Sequence, residues 1–589
     1  MKGTTRAQYR MAVTLLVYVL VVLAPNLMWL HQASGVAVPY APLAANLAAI
    51  MVVFALGGRL WIGALLLLPL ALLAPIEIFY IHTYGHPSDA HLLGILSETD
   101  SSEAGDYLRG AGWMALGAAV IACAAGILVA RSWFLNRSAW PNRIRVWVLL
   151  GGGSAGALLA FQNMPLSSAE AAVAPDVASI SEMDAAVIGG ESSRSVRELA
   201  NSYPLGLPFR VAAYMEQRAG LEKAQEALRD FQFGAYQAER SPRRQIHVLV
   251  IGETGRPDRW QLNGYARATT PQLAKTDGVV SFSDVVSSWA WTRMSVPVLL
   301  TRKPDRDTNA FFAEKSLIAA FREAGFKTYW FSTQSPLGKH DSSVALHAHE
   351  ADEVRFLNPA RYSGSGVHDG ALLAPLEQVL ARDEPKQLIV LHTLGSHFNY
   401  ADRYPEAFDV FRPSSKGRKD ASLHDKAQKV ALNNSYDNSV LYTDYFLAEV
   451  IKRVNNTRSE ATLLYTADHG ENLFDGECDK SGHGHATERD FRVASIWWNS
   501  RAYEEAWPDK VGWIRKRRSE AVSTGHVFHS MLDAAHIRLP GQSTSRSLLS
   551  EEWEPSERWT QGGLDFDTAV REPICMTLKA SSINKPEVR

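Results

Sequence analysis

The chain divides in two by hydropathy. About the first 165 residues are strongly apolar, and the remainder has the composition of a soluble protein. Residues 11–30, 39–54, 60–80, 112–129 and 146–162 read as five bilayer spans, a helix needing roughly 20 residues to cross. The second and fifth are interrupted by Pro, Gly and polar residues. A cleavable signal peptide is the alternative for the first, but the run of spans continues and no small-residue cleavage site follows it. Lys and Arg in the short loops orient the bundle. Lys2, Arg6 and Arg10 precede the first span, Arg59 separates the second and third, and Arg131, Arg137, Arg143 and Arg145 separate the fourth and fifth. Loops of the other parity are poor in both, with Arg109 alone in 81–111. The basic loops are therefore cytoplasmic. An odd number of spans puts everything after about Asn163 on the outer face, the periplasm of a bacterial inner-membrane protein.

The whole chain has 589 residues, too many for one core, and a net charge of −2 from 60 Lys+Arg and 62 Asp+Glu. That balance gives no reason to expect a nucleic-acid partner. The three cysteines exclude a dense disulfide framework. Cys123 reads as a core residue, and Cys478 and Cys575 are a pair only if the compartment is oxidising. The chain is expected to divide into 1–163 (membrane), 164–243 (linker and connecting helices), 244–560 (soluble domain) and 561–589 (tail). Residues 163–196, Ala- and Ser-rich, read as a linker. Residues 197–237 read as helical except for a break at 203–208. The helix either lies on the membrane interface or packs on its own domain.

In the soluble part, candidate strands at 246–251, 328–332, 387–392, 461–466 and 494–498 alternate with helical patterns such as 314–324 and 435–454. This rhythm implies an α/β domain with a mostly parallel central sheet covered on both faces. Ligands of such sheets bind beyond the carboxyl ends of the strands. Glu253 stands there after the apolar run 248–251, as a metal-binding carboxylate or merely an exposed turn acid. Asp468 and His469 of YTADHGE follow another apolar run, and an adjacent Asp and His suit a divalent ion such as zinc. His392 and His397 lie at and beyond a third strand end, and His483 and His485 lie in the loop SGHGHA. Each histidine alone is better read as structural. It is their convergence on one sheet edge that suggests a site. Thr292, shortly before Ser295 and Pro297, stands where Pro297 suggests the first turn of a helix. It either caps that helix or supplies a hydroxyl that zinc would activate as a nucleophile. In loop 81–111, SETDSSEA caps a helix through Thr99 or Ser101, or forms a polar patch for a cationic headgroup.

Together, GET–R with NGYARATTPQL, T–SVP, ADHGE and HG resemble the alkaline-phosphatase/sulfatase superfamily and, within it, the membrane-bound phosphoethanolamine transferases. The resemblance covers nearly the whole chain and implies a sulfatase-like domain behind five spans. It implies a two-step transfer: a threonine takes phosphoethanolamine from phosphatidylethanolamine, releasing diacylglycerol, and passes it to an envelope acceptor such as lipid A, lipopolysaccharide core or a periplasmic glycan. By motif, Glu253, Thr292, Asp468 and His469 match the main zinc site and Thr292 the nucleophile. His397 and His483, with His485 as fallback, match contacts to phosphate or to a second zinc. Thr99 and Glu103 keep the spacing of a headgroup pattern, and Ser335 and Lys339 resemble substrate contacts. A monomer is expected. The chain departs from the lipid A members in carrying Ser288 and Val298 where they have cysteines, Trp289 and Trp291 beside Thr292, and Ile95 where an Asn is expected. A sulfatase would need a Cys or Ser nucleophile in C/S-x-P-x-R, which is missing from the expected position. Two rival readings fit the same features: a glycerol-phosphate transferase of lipoteichoic-acid-synthase type, and a non-catalytic membrane sensor with a sulfatase-like domain.

Overall fold

The computed structural model describes residues 2–32, 40–98, scattered positions between 116 and 151, 199–308, 312, 314–334, 343–358, 366–561 and 563–580. The chain forms two compact units, Met1–Ser97 with Ala111–Gln217 and Glu98–Gly110 with Arg218–Arg589.

The first unit is helical: α1 (Lys2–Gln32), α2 (Tyr40–Gly57), α3 (Leu60–Tyr84) and α4 (Ala90–Glu98). Among the described residues, α3 alone is both long and apolar enough to cross a membrane. Leu15–His31 and Pro42–Gly57 are shorter apolar helices. The expected fourth and fifth spans fall largely outside the described residues, and the linker 163–196 entirely so. The helices pack on Tyr18, Val22, Ile50, Phe54, Leu67 and Ala71. Gly63 is needed at this contact, because a Cβ there would come within 2.3 Å of the Phe54 ring. The segment 81–111 is not simply a loop. The third helix continues to Tyr84, where Gly85 (φ 82°) closes it by donating its N–H to the Ile81 carbonyl, and α4 follows. The connecting helix α5 (Gly206–Arg229) begins inside the expected break. Pro208 occupies its first turn, where a missing N–H costs nothing. Just before it, the Tyr203 N–H donates to Asn26 Oδ1 (2.9 Å) and the Asn46 amide donates to Ser202 Oγ (2.7 Å). Arg210 is buried against Glu77 (2.9 Å) and donates to Ser88 Oγ (2.6 Å).

The second unit is built on a seven-stranded sheet. In chain order its strands are β1 (Gln245–Gly252), β2 (Val279–Phe282), β3 (Lys327–Ser332), β4 (Glu353–Phe356), β5 (Lys386–His392), β6 (Glu460–Ala467) and β7 (Ser495–Asn499), and in space β2-β7-β6-β1-β5-β3-β4. Five neighbours, β6 to β4, are parallel. The sheet is mixed, because β7 runs against both β6 and β2. The alternation of each strand feeds two cores. Leu249, Ile251, Leu388, Val390 and Leu464 face one cluster, with the helices Leu317–Glu323 and His526–Ala534. Ile246, Val248, Val250, Ile389, Leu391 and Leu463 face the other, with Leu373–Leu380 and Lys429–Asn456. Both faces are thus covered, which is why the central strands read as continuous apolar runs.

The candidate metal centre

Glu253 follows β1, Asp468 and His469 follow β6, and the loop after β5 carries His397, so three adjacent parallel strands deliver their C-terminal ends to one place. Thr292 is the first residue of a helix, α6 (Thr292–Leu300), with Trp291 as its N-cap. Pro297 lies in the second turn of this helix, not the first, so it does not mark the start. Nor does Thr292 cap: Trp291 is the N-cap and makes no side-chain capping bond, and the Thr292 hydroxyl instead donates to Glu253 Oε2 at 3.1 Å. His469 Nε2 lies 3.4 Å from the same hydroxyl, 3.2 Å from Glu253 Oε1 and 3.5 Å from Asp468 Oδ2.

The backbone is shaped around these groups. Thr254 adopts φ 51°, uncommon for a β-branched residue, and its N–H donates to Asp468 Oδ1 at 3.2 Å. The Tyr436 hydroxyl donates to the Thr254 carbonyl at 2.6 Å and holds the turn. On the other side, Gly395 (φ 49°) approaches so closely that a Cβ would lie 2.8 Å from the Glu253 N and O atoms. The Asp369 carboxylate fixes that loop by accepting from the Leu394 and Gly395 N–H groups at 2.8 and 3.0 Å.

The donor set fits a divalent cation. Glu253, Asp468 and His469 are fully buried, and their donor atoms lie within 4.8 Å of one another. Among the described residues, neither Asp468 Oδ2 nor Glu253 Oε1 has a well-formed hydrogen bond, with His469 Nε2 at 3.5 and 3.2 Å, an expensive state for buried carboxylate oxygens. His469 Nδ1 donates to the Gly470 carbonyl at 2.9 Å, which aims Nε2 at both carboxylates. Burial works against charge on this imidazole, but Asp468 and Glu253 outweigh it and hold its pKa well above normal. Burial, then the neighbouring Glu253, raises the Asp468 carboxyl. The cluster therefore calls for positive charge at its centre.

The other expected residues are placed as follows. His483 packs its ring on His469 (centroids 4.3 Å), and its Nδ1 is 3.2 Å from Glu471 Oε2. The His397 ring lies 6.5 Å from that of His483, and its Nδ1 donates to the Phe398 carbonyl at 2.6 Å. His485 is buried, with Nε2 2.8 Å from the Ser481 carbonyl oxygen. His392 is buried under Trp330, and burial pulls its pKa down to about 4. Thr99, Glu103, Ser335 and Lys339 lie outside the described residues. Sequence reasoning passed over Gln334, whose amide donates to Glu253 Oε2 (3.3 Å) and the Thr393 carbonyl (3.0 Å). It also passed over Glu471, although that residue ends the quoted ADHGE. Glu471 is buried between His483 and the Tyr400 hydroxyl (2.9 Å). The remaining motif residues brace the site. Arg256 of GET–R is buried between Asp258 (2.6 Å) and Asp475 (2.8 Å). Arg267 of NGYARATTPQL pairs with the buried Asp437 at 2.7 Å, and the Gln272 and Leu273 N–H groups donate to Asp444.

This α/β domain, with an acid–histidine cluster at the strand ends and a hydroxyl at a helix start, is similar to the sulfatases: residues 245–537 match the sulfatase family. Its curated relatives are named as phosphoethanolamine transferases. The chain is 27% identical to phosphoethanolamine transferase EptC of Escherichia coli K12 over 339 residues, 54% of this chain and 57% of the relative. It is 32% identical to the Kdo(2)-lipid A phosphoethanolamine 7''-transferase of the same strain over 279 residues, 46% and 47% of the two chains. The matches thus span about half the length of these relatives. Among solved structures, the C-terminal periplasmic domain of Escherichia coli EptC in complex with zinc superposes with TM-score 0.52 at 27% identity, covering 57% of this chain and 95% of that one. The integral membrane protein EptA of Neisseria meningitidis shares the fold over 91% of this chain and 96% of its own, with TM-score 0.65 at 21% identity.

Proposed function

We propose that this protein is a zinc-dependent phosphoethanolamine transferase of the inner membrane. It takes the group from phosphatidylethanolamine and passes it, through a phosphothreonine intermediate at Thr292, to an envelope lipid or glycan. The observation that carries the reading is the Thr292 hydroxyl, 3.1 Å from Glu253 and 3.4 Å from His469, at the centre of three buried metal-type ligands. The names of the relatives and the zinc complex of a homologous domain support it.

Glu253, Asp468, His469 and the Thr292 oxygen are the residues that would hold the zinc. When bound, zinc lowers the pKa of a coordinated hydroxyl and neutralises phosphate oxygens. The chain's own groups do the rest. Glu253 Oε2 accepts the hydroxyl proton and aims the oxygen. Thr292 Oγ1 then forms a bond to phosphorus as the bond to the diacylglycerol oxygen breaks, and that oxygen leaves carrying the proton Glu253 took from Thr292. In the second step the acceptor oxygen attacks the same phosphorus, a hydroxyl acceptor giving its proton to Glu253, and the Thr292 oxygen departs and takes a proton back from Glu253 or, for a phosphate acceptor, from water. Thr292 at N1 also stands at the positive end of the α6 dipole, which favours a phosphoryl group there. His397 and His483 would meet phosphate oxygens or hold a second ion, a role their closeness to each other and to His469 supports. The first 163 residues are read as five spans with the second unit in the periplasm. The three apolar helices and the shared fold with an integral membrane protein support this topology.

The test is mass spectrometry of envelope lipids and glycans from cells with the wild-type gene, with Thr292→Ala, and without the gene. A phosphoethanolamine mass increment is expected in the first alone, on the order of 10⁴-fold above the variant. An increment of wild-type size with Thr292→Ala removes the threonine from the mechanism.

A further inference from the structure

The segment read from sequence as a tail is folded up to residue 580. Trp559–Thr560 pairs with Leu564–Asp565, and Val570–Arg571 pairs with Leu578–Lys579. The second of these hairpins docks on the residues that follow the His483 loop. Thr577 bridges Thr487 in antiparallel fashion. The Leu578 N–H donates to the Ala486 carbonyl, and the Glu488 N–H donates to the Met576 carbonyl, both at 2.9 Å. Arg571 reaches Glu488 at 2.9 Å. On the near side of the same loop, Cys478 is joined by a disulfide to Cys575, 97 residues away. Both ends of the stretch carrying His483 are therefore tied to residues 572–579, one covalently.

The same segment supports the nucleophile's side of the site. Phe566, Ala569 and Leu578 form a cluster with Val286, Ala290 and Phe491, and Trp291, the N-cap of α6, packs against it. Trp291 stands edge-on to His483, with ring centroids 5.1 Å apart. Gly484 lies so close that a Cβ would come within 2.1 Å of the Trp291 ring. Glu471 holds His483 from beneath through Nδ1.

We infer that residues 564–579, locked by the Cys478–Cys575 bond, are a strap that positions His483 against the metal cluster, with Trp291 as the wall the His483 loop packs on. The inference rests on the function proposed above only for what the positioning accomplishes. The strap and its contacts are independent of that reading. Partners that orient a site histidine change rates by about 10- to 100-fold when removed. The strap acts on His483 at one remove, so the lower end of that range applies.

The experiment uses the full-length protein in detergent, comparing wild type with Cys478→Ser/Cys575→Ser and each again with His483→Ala. The readouts are release of diacylglycerol from phosphatidylethanolamine and amide hydrogen exchange over residues 481–488. Loss of the bond is expected to lower turnover about 10-fold with little change in KM, to speed exchange at 481–488, and to have no further effect once His483 is alanine. Where the double serine variant does not fold, wild type reduced with dithiothreitol and alkylated takes its place. Unchanged exchange at 481–488, or an equal loss of rate with and without His483, overturns the strap. If wild type itself releases no diacylglycerol, the proposed function has failed, and the exchange data alone decide the strap.

Discussion

At the scale of single residues, the polypeptide arranges buried ligands whose charges do not cancel without a cation. Purified protein is expected to carry zinc, and chelation is expected to abolish transfer and lower Tm, because Glu253, Asp468 and His469 then face one another unshielded. Metal analysis and thermal melts with and without chelator check this, and full activity at zero zinc refutes it. Arg256 supports a second prediction. Burial would raise the Asp475 carboxyl, but the Arg256 guanidinium outweighs it and holds it down to about 2. A depressed carboxyl contributes stability that is present above its unfolded value near 4 and lost as pH falls through about 2. Asp475→Asn should therefore destabilise the protein by about 2 kcal/mol at neutral pH, and its melting curve should converge on wild type below pH 4. A constant gap down to pH 2 would show that the ion pair is not the cause. Glu253, Thr292, Asp468 and His469 were legible because each stands next to an apolar run that can only be a strand, or next to a helix start. Gln334 and Glu471 were not, since only folding shows which carboxylate or ring a polar side chain meets.

At the scale of elements, loops held in unusual backbone conformations make the site. Gly395→Ala adds a Cβ 2.8 Å from the backbone of Glu253 at a positive φ. It is expected to cost about 1–3 kcal/mol and to reduce zinc content along with activity, since the clash moves a ligand. Denaturation and metal analysis test it together, and a stable, zinc-replete variant speaks against the cradle. The long apolar strands β1, β5 and β6 announce themselves by composition. Short β2 and β4 do not: β2 is half-buried and β4 partly exposed, with too few residues to show a period. The reversed direction of β7 was equally hidden, because 494–498 is as apolar as the parallel strands of the sheet and only pairing reveals direction. Pro297 misled for a related reason, as a proline one turn further in still leaves the helix start to Trp291 and Thr292.

At the scale of the whole molecule, hydropathy divides the chain near residue 165, whereas the first compact unit runs on to Gln217 and the second takes in Glu98–Gly110. The buried polar ties inside the first unit were not foreseeable, since Glu77 and Arg210 are 133 residues apart. Their side chains are 6% and 4% exposed, so removing one charge strands the other. Glu77→Gln is expected to destabilise the first unit by about 3–5 kcal/mol, and Glu77→Gln/Arg210→Met to recover much of that. Detergent-solubilised melting temperatures of the single and double variants make the comparison, and equal losses in both would leave the pair without a structural part.

The bond between Cys478 and Cys575 also orders events during biogenesis. On the proposed topology, the histidine loop stands outside the membrane without its fastening for as long as the 96 residues between the two cysteines are still being made and exported. If the proposed function and strap hold, competence arrives in one late oxidative step rather than growing with the chain, and a cell that fails to supply an oxidant outside the cytoplasm would accumulate protein that is inserted, folded and slow.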